Sequence, residues 1–324
     1  MITIKNIAVP TGNILIVEGD HGKLECLSLG DYGQSVNLNQ HKAVPDGLPL
    51  MPLSEKWVIT VSTQYGCSMG CRFCDVPKVG PGKNATDDDL YGQVVSCLEL
   101  HPEIRATKRL NIHYARMGEP SWNASNVLQA TRYLHMTFGR MNIHPVVSTM
   151  MPCGNPMLRS FLKEWVDLKN SKPYNGNAGL QLSINSTDDD ERMHMFSGNS
   201  LQLWEISEII NKAAPVVLGR KITLNFAVAD YTVDAELLAK LFPPDRFICK
   251  LTPMHKTTAA LRNGIETEGD YTTPEPYIEL EKRLKDVGFD TLVFIASRDE
   301  DEGRITCGNA ILSGTMPSKF KVIQ

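Results

Sequence analysis

Along most of the chain, short apolar segments alternate with segments in which apolar residues recur every three or four positions. The run 57–63 predicts a β-strand, and Leu90, Val94 and Leu98 share one face of a predicted helix. That helix follows Thr86–Asp89, a sequence typical of a helix start. Further strands are predicted at 110–114, 146–149, 180–185, 222–228, 247–251 and 291–296. Further helices are predicted at 124–138, 156–168, 201–213, 235–241 and 276–287.

This alternation predicts an α/β fold whose strands form a parallel sheet with right-handed crossovers. Six such units predict a partial (β/α)6 barrel over residues 56–324. In barrels of this type the chemistry gathers at the carboxyl ends of the strands. Residues that directly follow a predicted strand are therefore the first candidates for a functional site.

The first 55 residues have a different pattern and predict a small β-rich N-terminal domain. Two short runs, Ile14–Glu18 and Lys23–Leu29, flank Gly19–Gly22, which predicts a hairpin turn. The segment Val44–Pro52 is rich in proline and glycine and predicts a connector. The predicted domains are therefore 1–55 and 56–324.

Composition narrows the range of partners. The chain has 324 residues and a net charge of −4, with an isoelectric point near 6.1. A net negative charge disfavours extensive non-specific binding to a polyanion, although a local basic face can still bind nucleic acid.

Eight cysteines without a signal peptide predict a reducing, cytoplasmic location. No apolar run approaches the ~20 residues that cross a bilayer, so no membrane association is predicted.

Three cysteines directly after the first strand of the predicted barrel carry the strongest chemical signal. Cys67, Cys71 and Cys74 are spaced Cys-x-x-x-Cys-x-x-Cys. Thiolates are the usual ligands of a 4Fe-4S cluster, and three of them on one loop leave the fourth iron open for a substrate or cofactor. Phe73, just before the last cysteine, is positioned to shield the cluster from solvent.

Two other readings of the cysteines are weaker. Zinc ribbons prefer paired Cys-x-x-Cys units or Cys/His pairs, and no histidine stands nearby at a suitable spacing to complete a zinc site. Disulfides inside so tight a loop do not suit a chain from a reducing compartment.

Polar residues also follow the next predicted strands. Met117–Pro120 contains Gly118, where the backbone can approach a ligand, and Glu119, which can receive an ammonium group. Ser148 ends the next strand, and Ser183 with Asn185 ends the one after. These groups suit hydrogen bonds to a ribose or a carboxylate. Ser148, Ser183 and Asn185 are equally consistent with strand-end caps. Gly118–Pro120 alone could be a turn with a solvated glutamate, but its place at the strand end after the cysteine loop favours a functional role.

The cysteine spacing with its preceding aromatic residue resembles the signature of the radical S-adenosylmethionine (SAM) superfamily. That resemblance implies a radical SAM barrel and a cluster whose open iron binds the amino and carboxylate groups of SAM. It also implies that one electron cleaves SAM to a 5′-deoxyadenosyl radical. The motif order over 57–314 is similar to one branch, the adenosine carbon-2/carbon-8 methyltransferases of ribosomal RNA, or radical SAM methyl synthases. The motifs are Thr63–Cys67, Met117–Pro120, Val147–Thr149, Leu182–Asn185, Thr252–His255 and Thr306–Gly308.

The resemblance implies a role for each matching residue. Cys67, Cys71 and Cys74 would hold the cluster. Residues implied to contact SAM are Gly118, Glu119, Ser148, Ser183, Asn185 and His255, the last replacing the family's usual asparagine. Cys307 matches the cysteine that accepts a methyl group from one SAM. A radical from a second SAM then takes hydrogen from that methyl group, and the carbon radical adds to an adenine ring. The implied partners are a nucleobase-containing substrate, RNA among the possibilities, and a flavodoxin-type or ferredoxin-type electron donor.

Three departures from the family bear on the substrate. The second cysteine, which resolves the protein–substrate adduct as a disulfide, is replaced by Thr60. Other thiols that could substitute are Cys26, Cys97, Cys153 and Cys249, with Cys153 nearest the barrel mouth by topology. The chain also begins almost directly with the β segment, without the family's helical RNA-binding domain. His255 differs from asparagine in that it can titrate.

Three functions therefore remain open. The first is a methyl synthase that uses Cys307 to methylate an sp2 carbon of an adenine-type base. The second is a radical SAM enzyme of the same lineage that abstracts hydrogen directly from another substrate, with no methyl transfer. The third is a non-catalytic metal-binding module. Cys307 itself is alternatively a small buried hydrophobic residue, as free cysteines often are.

Overall fold

The computed structural model describes residues 1–32, 48–265, 275–295, 300, 303–306, 308–314 and 322–323. Its strands are β1 Ile2–Val9, β2 Gly12–Gly19, β3 Gly22–Leu29, β4 Trp57–Val61, β5 Gln64–Gly66, β6 Pro81–Asn84, β7 Leu110–Tyr114, β8 Ile143–Thr149, β9 Gly179–Ser183, β10 Ile222–Val228, β11 Phe247–Pro253, β12 Asp290–Val293 and β13 Val322–Ile323. Its α-helices are α1 Asp87–Leu98, α2 Ala124–Phe138, α3 Leu158–Asn170, α4 Asp189–Met195, α5 Leu203–Ala213, α6 Ala235–Leu241, α7 Thr258–Arg262 and α8 Glu275–Asp286.

One sheet runs through nearly the whole described chain, in the order β12-β11-β10-β9-β8-β7-β4-β3-β2-β1-β13. Strands β4 and β7 to β12 pair in parallel. A parallel pair needs a crossover connection, and helices supply each one here. The described residues thus form six strand–helix units and a final strand, which confirms the predicted α/β fold.

The N-terminal strands belong to the same sheet. β1, β2 and β3 form antiparallel hairpins, and β3 pairs antiparallel with β4. The turn between Gly19 and Gly22 lies where the sequence predicts it. Because hydrogen bonds run continuously from β3 into β4, the antiparallel strands extend the parallel sheet. The predicted division of the chain at residue 55 stays a prediction, and positions 44–47 of the predicted connector lie outside the described residues.

The helices cover one face of the parallel strands. In β4, the side chains of Trp57, Ile59 and Val61 are completely buried in the main core with the apolar faces of the helices. Alternate residues point to the opposite face, because successive side chains of a strand point in opposite directions. Thr60 therefore lies on that opposite face, hereafter the inner face, beside its register partner His113.

The inner face is polar. Its register pairs include Asn111 with His144, Ser148 with Gln181, and Asn225 with Lys250. Burial and surrounding cations, Arg220 first, lower the pKa of His113 to about 3, so this imidazole is neutral. Most side chains of the inner face are only half-buried, so a polar ligand can reach them. The opposite face is filled by the apolar side chains of the helices.

Local sequence patterns predict the long elements well. Helices α2 and α6 have the predicted bounds. For α1, α3, α5 and α8, each helix end that the sequence predicts lies within two residues of the observed end. Strand β1, the β5–β6 hairpin and the short helices α4 and α7 were not predicted. These missed elements are short or depend on contacts with distant segments, which a local pattern does not reveal.

Trp165 of α3 ties the helix layer to the sheet. Its indole is completely buried, and its Nε1 donates a hydrogen bond to Gly179 O at 2.9 Å. The rings of Tyr114 and Phe161 pack against it, with centroids 6.3 and 6.2 Å away.

We expect Trp165→Phe to lower the free energy of unfolding by about 1–3 kcal/mol, because the variant loses a buried hydrogen bond and leaves a small void. Trp204→Phe is the matched control, since Trp204 is 54% exposed, and it should change the value by less than about 0.5 kcal/mol. Chemical denaturation monitored by circular dichroism gives both values. Equal losses in the two variants would contradict the anchoring role of Trp165.

Candidate active site

A short hairpin closes the base of the cysteine loop. β5 follows β4 after two residues and pairs antiparallel with β6. Cys67 N donates to Gly80 O at 3.1 Å. Gly66 has a φ of +84°, and a Cβ there would lie 2.1 Å from Gly80 O, so only glycine fits. Residues 67–80 therefore form a loop with fixed ends at the carboxyl end of β4.

The three predicted cluster cysteines lie together in this loop. All three are half-buried and form no disulfide, and Cys74 N donates to Cys71 O at 3.1 Å. Cys67 and Cys71 contact a small apolar cluster formed by Met69, Met150, Met195 and Phe196. Burial, with a smaller contribution from the charge of Glu119, raises the pKa of Cys67 to about 11. Without a bound metal this thiol is protonated at neutral pH.

The spacing of the three cysteines along the loop is compatible with an iron–sulfur cluster. Within the described part of the chain, no three His, Cys, Asp or Glu side chains converge as they would around one metal ion. The thiolates of a cubane bind separate irons and do not meet at one point. Trp122 Nε1 is a buried donor with no partner, and the indole packs against the same apolar cluster. Sulfide or a polar ligand would supply the acceptor that this donor lacks.

Glu119 joins the ends of two strands. Its carboxylate is buried, and Oε1 accepts from Ser121 N and Oε2 from Met150 N, both at 3.0 Å. The hydroxyls of Thr149 and Ser121 also donate to it, while burial still raises its pKa. A carboxylate has about four acceptor positions. An incoming ammonium group would therefore share or replace one of these bonds, and the predicted SAM contact stays a prediction.

Gly118 is held against Gln64. Its φ is +92°, and a Cβ would lie 2.6 Å from Gln64 Cβ and 2.7 Å from Gln64 N. Gln64 Oε1 in turn accepts from Glu119 N at 3.0 Å. The close neighbour of this glycine in the structure is β5, the strand that leads into the cysteine loop, and the predicted approach to a ligand stays a prediction.

The other predicted SAM contacts lie on neighbouring strand ends. Ser148 and Ser183 are half-buried residues of β8 and β9, which pair in parallel. Asn185 is buried with a φ of +60°, a conformation that asparagine tolerates. Its Oδ1 accepts from Ala227 N at 2.9 Å, and its Nδ2 lies 3.3 Å from Met195 Sδ. The Asn185 amide thus connects β10 to the apolar cluster below the cysteine loop.

Phe73 and His255 are brought to the same region. The Phe73 ring packs edge-on against Phe196, with centroids 5.8 Å apart. Phe73 O accepts from Thr257 Oγ1 at 2.6 Å, and Thr257 N donates to His255 O at 2.8 Å. The segment that follows β11 and the cysteine loop are therefore in direct contact, and the predicted contact of His255 with SAM stays a prediction.

Asp75 is a residue whose importance the sequence did not reveal. Its carboxylate is buried and accepts from the backbone amides of Thr258 and Ala259, at 3.0 and 2.9 Å. Lys78 Nζ donates to it at 2.6 Å. Asp75 thereby fixes the start of α7 beside the last cysteine. The available signal was an acidic residue next to Cys74, but its helix partner is 183 positions away.

The C-terminal segment reaches the cysteine loop through Gly308. Gly308 O accepts from Asp75 N at 2.8 Å. A Cβ at Gly308, whose φ is +84°, would lie 3.3 Å from Phe73 O and 3.7 Å from Cys74 Cα. Asn309 follows with a buried Oδ1 that has no partner. Cys307 itself lies outside the described residues, so its predicted role stays a prediction.

The remaining described cysteines differ in exposure. Cys26, Cys97 and Cys249 are buried in the core, whereas Cys153 is half-buried. Cys153 N donates to Asn199 O at 2.8 Å, and Asn199 Nδ2 donates to Met69 O in the cysteine loop, also at 2.8 Å. Four thiols are candidates to substitute for a cysteine at position 60. Of these, Cys153 is the one that is linked to the cysteine loop, through Asn199.

Two proteins with similar sequences are RNA methyltransferases by name. The chain is 28% identical over 237 residues to the dual-specificity RNA methyltransferase RlmN 2 of Myxococcus xanthus, a match that covers 69% of this chain and 58% of that protein. It is also 28% identical over 237 residues to RlmN of Wolinella succinogenes, covering 71% and 57%. The match thus spans less than three fifths of the length of either relative. No protein-family model matches the chain.

A solved structure shares the fold. A radical SAM methyltransferase from Sphaerobacter thermophilus superimposes with a TM-score of 0.68 and 22% identity, over 95% of this chain and 80% of that one. At this identity the likeness concerns the fold, including the mixed sheet of parallel strands. Among the described residues, no helix has the length and apolar character needed to span a membrane.

We expect Gly118→Ala to lower the free energy of unfolding by at least about 1–3 kcal/mol, because alanine is strained at a φ of +92° and its Cβ would displace Gln64. The control is Gly139→Ala, where the added Cβ meets no atom within 4 Å and the change should be under about 1 kcal/mol. Urea denaturation measures both. A Gly118→Ala variant as stable as Gly139→Ala would contradict the described contact.

Proposed function

We propose that this chain, a distant RlmN-like homologue in the radical SAM superfamily, methylates an sp2 carbon of an adenine-type base through S-methylated Cys307. The relatives are RNA methyltransferases by name. The base would belong to RNA or to a smaller nucleotide. The coarser description, a radical SAM enzyme related to these methyltransferases, follows from the sequence similarity and the shared fold.

The contact between Gly308 and the cysteine loop is the observation that carries this proposal. Gly308 directly follows Cys307 in the chain, and its carbonyl is bonded to the residue after Cys74. A methyl carrier has to bring its sulfur near the place where the radical forms. A C-terminal segment packed on the last cysteine of the loop meets that requirement, since adjacent residues are only ~3.8 Å apart between Cα atoms.

Each residue of the candidate active site has its own role in the proposed reaction. When bound, a 4Fe-4S cluster held by Cys67, Cys71 and Cys74 would supply the electron that cleaves SAM. Phe73 and Phe196 would exclude water from one side of the loop. Ser148, Ser183, Asn185, Glu119 and His255 would orient SAM from the strand ends. Flavodoxin-type or ferredoxin-type proteins in the cytoplasm would deliver the electron.

The polar inner face suits a nucleobase as substrate. Asn111, Gln181 and Asn225 present amides there, and amides can both donate and accept hydrogen bonds at the edge of a base. The net charge of −4 favours local recognition of a base over extensive electrostatic binding to the phosphate backbone.

A second candidate function is favoured by Thr60. This threonine lies on the inner face of β4, where the related methyl synthases have their second cysteine. A hydroxyl cannot form the disulfide that would release a covalent adduct. In this alternative, the deoxyadenosyl radical takes hydrogen directly from the substrate and no methyl group is transferred. Cys153 is the thiol best placed to restore the first function.

We expect Cys67→Ala, Cys71→Ala and Cys74→Ala each to abolish both cluster binding and SAM cleavage, because a cluster held by two thiolates is not retained. Iron and sulfide analysis and chromatographic detection of 5′-deoxyadenosine, on anaerobically reconstituted protein, measure the two properties. Cys249→Ala removes a buried thiol outside the loop and serves as the control that should keep both. Normal SAM cleavage by any of the three loop variants would overturn its assignment as a ligand.

We expect Cys307→Ala to keep the cluster but to lose methyl transfer completely, because the one-carbon unit then has no carrier. Peptide mass spectrometry of the wild type after incubation with SAM should show one added methyl group on the peptide that contains Cys307. Adenine-containing RNA incubated with each protein, digested and analysed for methyladenosine, reports the product. An unmodified Cys307 together with continued formation of 5′-deoxyadenosine would favour direct hydrogen abstraction.

A further inference from the structure

A buried ion pair joins the N-terminal strands to the loop that follows β7. Glu25 lies in β3 with its side chain completely buried, and Arg116 is only 5% exposed. Arg116 Nε donates to Glu25 Oε1 at 2.8 Å, and Arg116 Nη2 donates to the same oxygen. The two residues are 91 positions apart in the sequence. Arg116 is also two residues before Gly118 of the candidate site.

Both members of the pair also bind the C-terminal loop, defined here as the described residues 303–306 and 308–314. Arg116 Nη2 donates to Arg304 O at 2.7 Å, and Nη1 reaches Thr306 O at 3.5 Å. The Glu25 carboxylate accepts from Ile311 N at 3.3 Å and from Leu312 N at 3.1 Å. The guanidinium thus holds the backbone before position 307, and the carboxylate holds the backbone after it.

The cost of burial explains why these additional bonds matter. A buried ion pair is tolerated when its remaining donors and acceptors are satisfied, because desolvation otherwise exceeds the attraction of the charges. Here the backbone of the C-terminal loop satisfies them. Apolar side chains could fill the same space, but they could not bind two carbonyls and two amides in fixed directions. The pair therefore sets the position of the C-terminal loop as well as joining β3 to the loop that follows β7.

We propose that Glu25 and Arg116 are positioning residues that hold the C-terminal loop against the cysteine loop and so align Cys307 for methylation. The inference rests on the proposed role of Cys307. It gives the N-terminal strands a part in the chemistry, since β3 supplies the carboxylate. The contact of Gly308 with Asp75 secures one point of the loop, and the ion pair secures the stretches on both sides.

The test uses Glu25→Gln and Arg116→Lys in the full chain with its reconstituted cluster. Glutamine accepts fewer hydrogen bonds than a carboxylate, and lysine keeps the charge but cannot bridge Glu25 and two carbonyls at once. We expect amide hydrogen exchange in 303–314 to speed up, while cluster content and uncoupled 5′-deoxyadenosine formation stay at the wild-type level. The rate of Cys307 methylation should fall by about 100-fold, as expected for a misplaced reacting group.

Ser28→Ala is the matched control. Ser28 lies on the same strand and is buried, and its hydroxyl accepts a hydrogen bond from Trp57 Nε1 at 2.9 Å. It should leave hydrogen exchange in the loop and Cys307 methylation unchanged. If Glu25→Gln does not fold, Arg116→Lys carries the test, since it preserves the charge pair.

Three results would be decisive. Slower methylation with an intact cluster and faster loop exchange supports the proposal. Unchanged exchange in 303–314, or parallel loss of cluster, SAM cleavage and methylation, overturns it, because a purely structural role moves all properties together. A wild type that never methylates Cys307 contradicts the proposed function instead, and loop exchange in the same variants still decides whether the ion pair holds the loop.

Discussion

The pairing of β4 on both sides determines how the rest of the molecule is arranged. β4 is antiparallel to β3 and parallel to β7, so it is the strand at which the sheet changes from hairpin to crossover connections. The cysteine loop leaves from its carboxyl end, where a parallel α/β sheet presents its ligand-binding edge. Any shift of β4 would move the N-terminal strands, the core and the candidate site together.

Around that edge, buried polar side chains accept hydrogen bonds from backbone amides of neighbouring segments. Glu119 accepts from the ends of β8 and of the loop after β7, Asn185 from β10, and Asp75 from the start of α7. Each is buried, and an unpaired buried polar group would be costly. A site built in this way is preorganised, because the groups nearest the cysteines are fixed before any ligand arrives. The same bonds limit which side chains remain available to a ligand.

The sequence predicts local features of this protein and misses its long-range polar contacts. Apolar periodicity is enough to locate helix α2 and strand β7, and cysteine spacing is enough to locate the loop at 67–74, because those signals lie within a few residues of one another. The bond between Asp75 and α7 and the pair of Glu25 with Arg116 link distant positions. Nothing local distinguishes Glu25 from an ordinary solvated residue of a strand. Glu119 illustrates an intermediate case, since its location at a strand end was predictable and its four donors were not.

The burial of three cysteines also bears on how iron would find its ligands. The Sγ atoms of Cys26 and Cys97 lie 3.7 Å apart in the core, and burial raises the pKa of Cys97 well above its ordinary value. Burial likewise raises the pKa of Cys249 to about 12. Thiols without access to solvent neither bind iron nor exchange with small thiols. Among the described cysteines, iron delivered to the protein would therefore meet four half-buried sulfurs, three of which belong to one loop. Selectivity in metallation would then come from the packing of the core as much as from the spacing of the ligands.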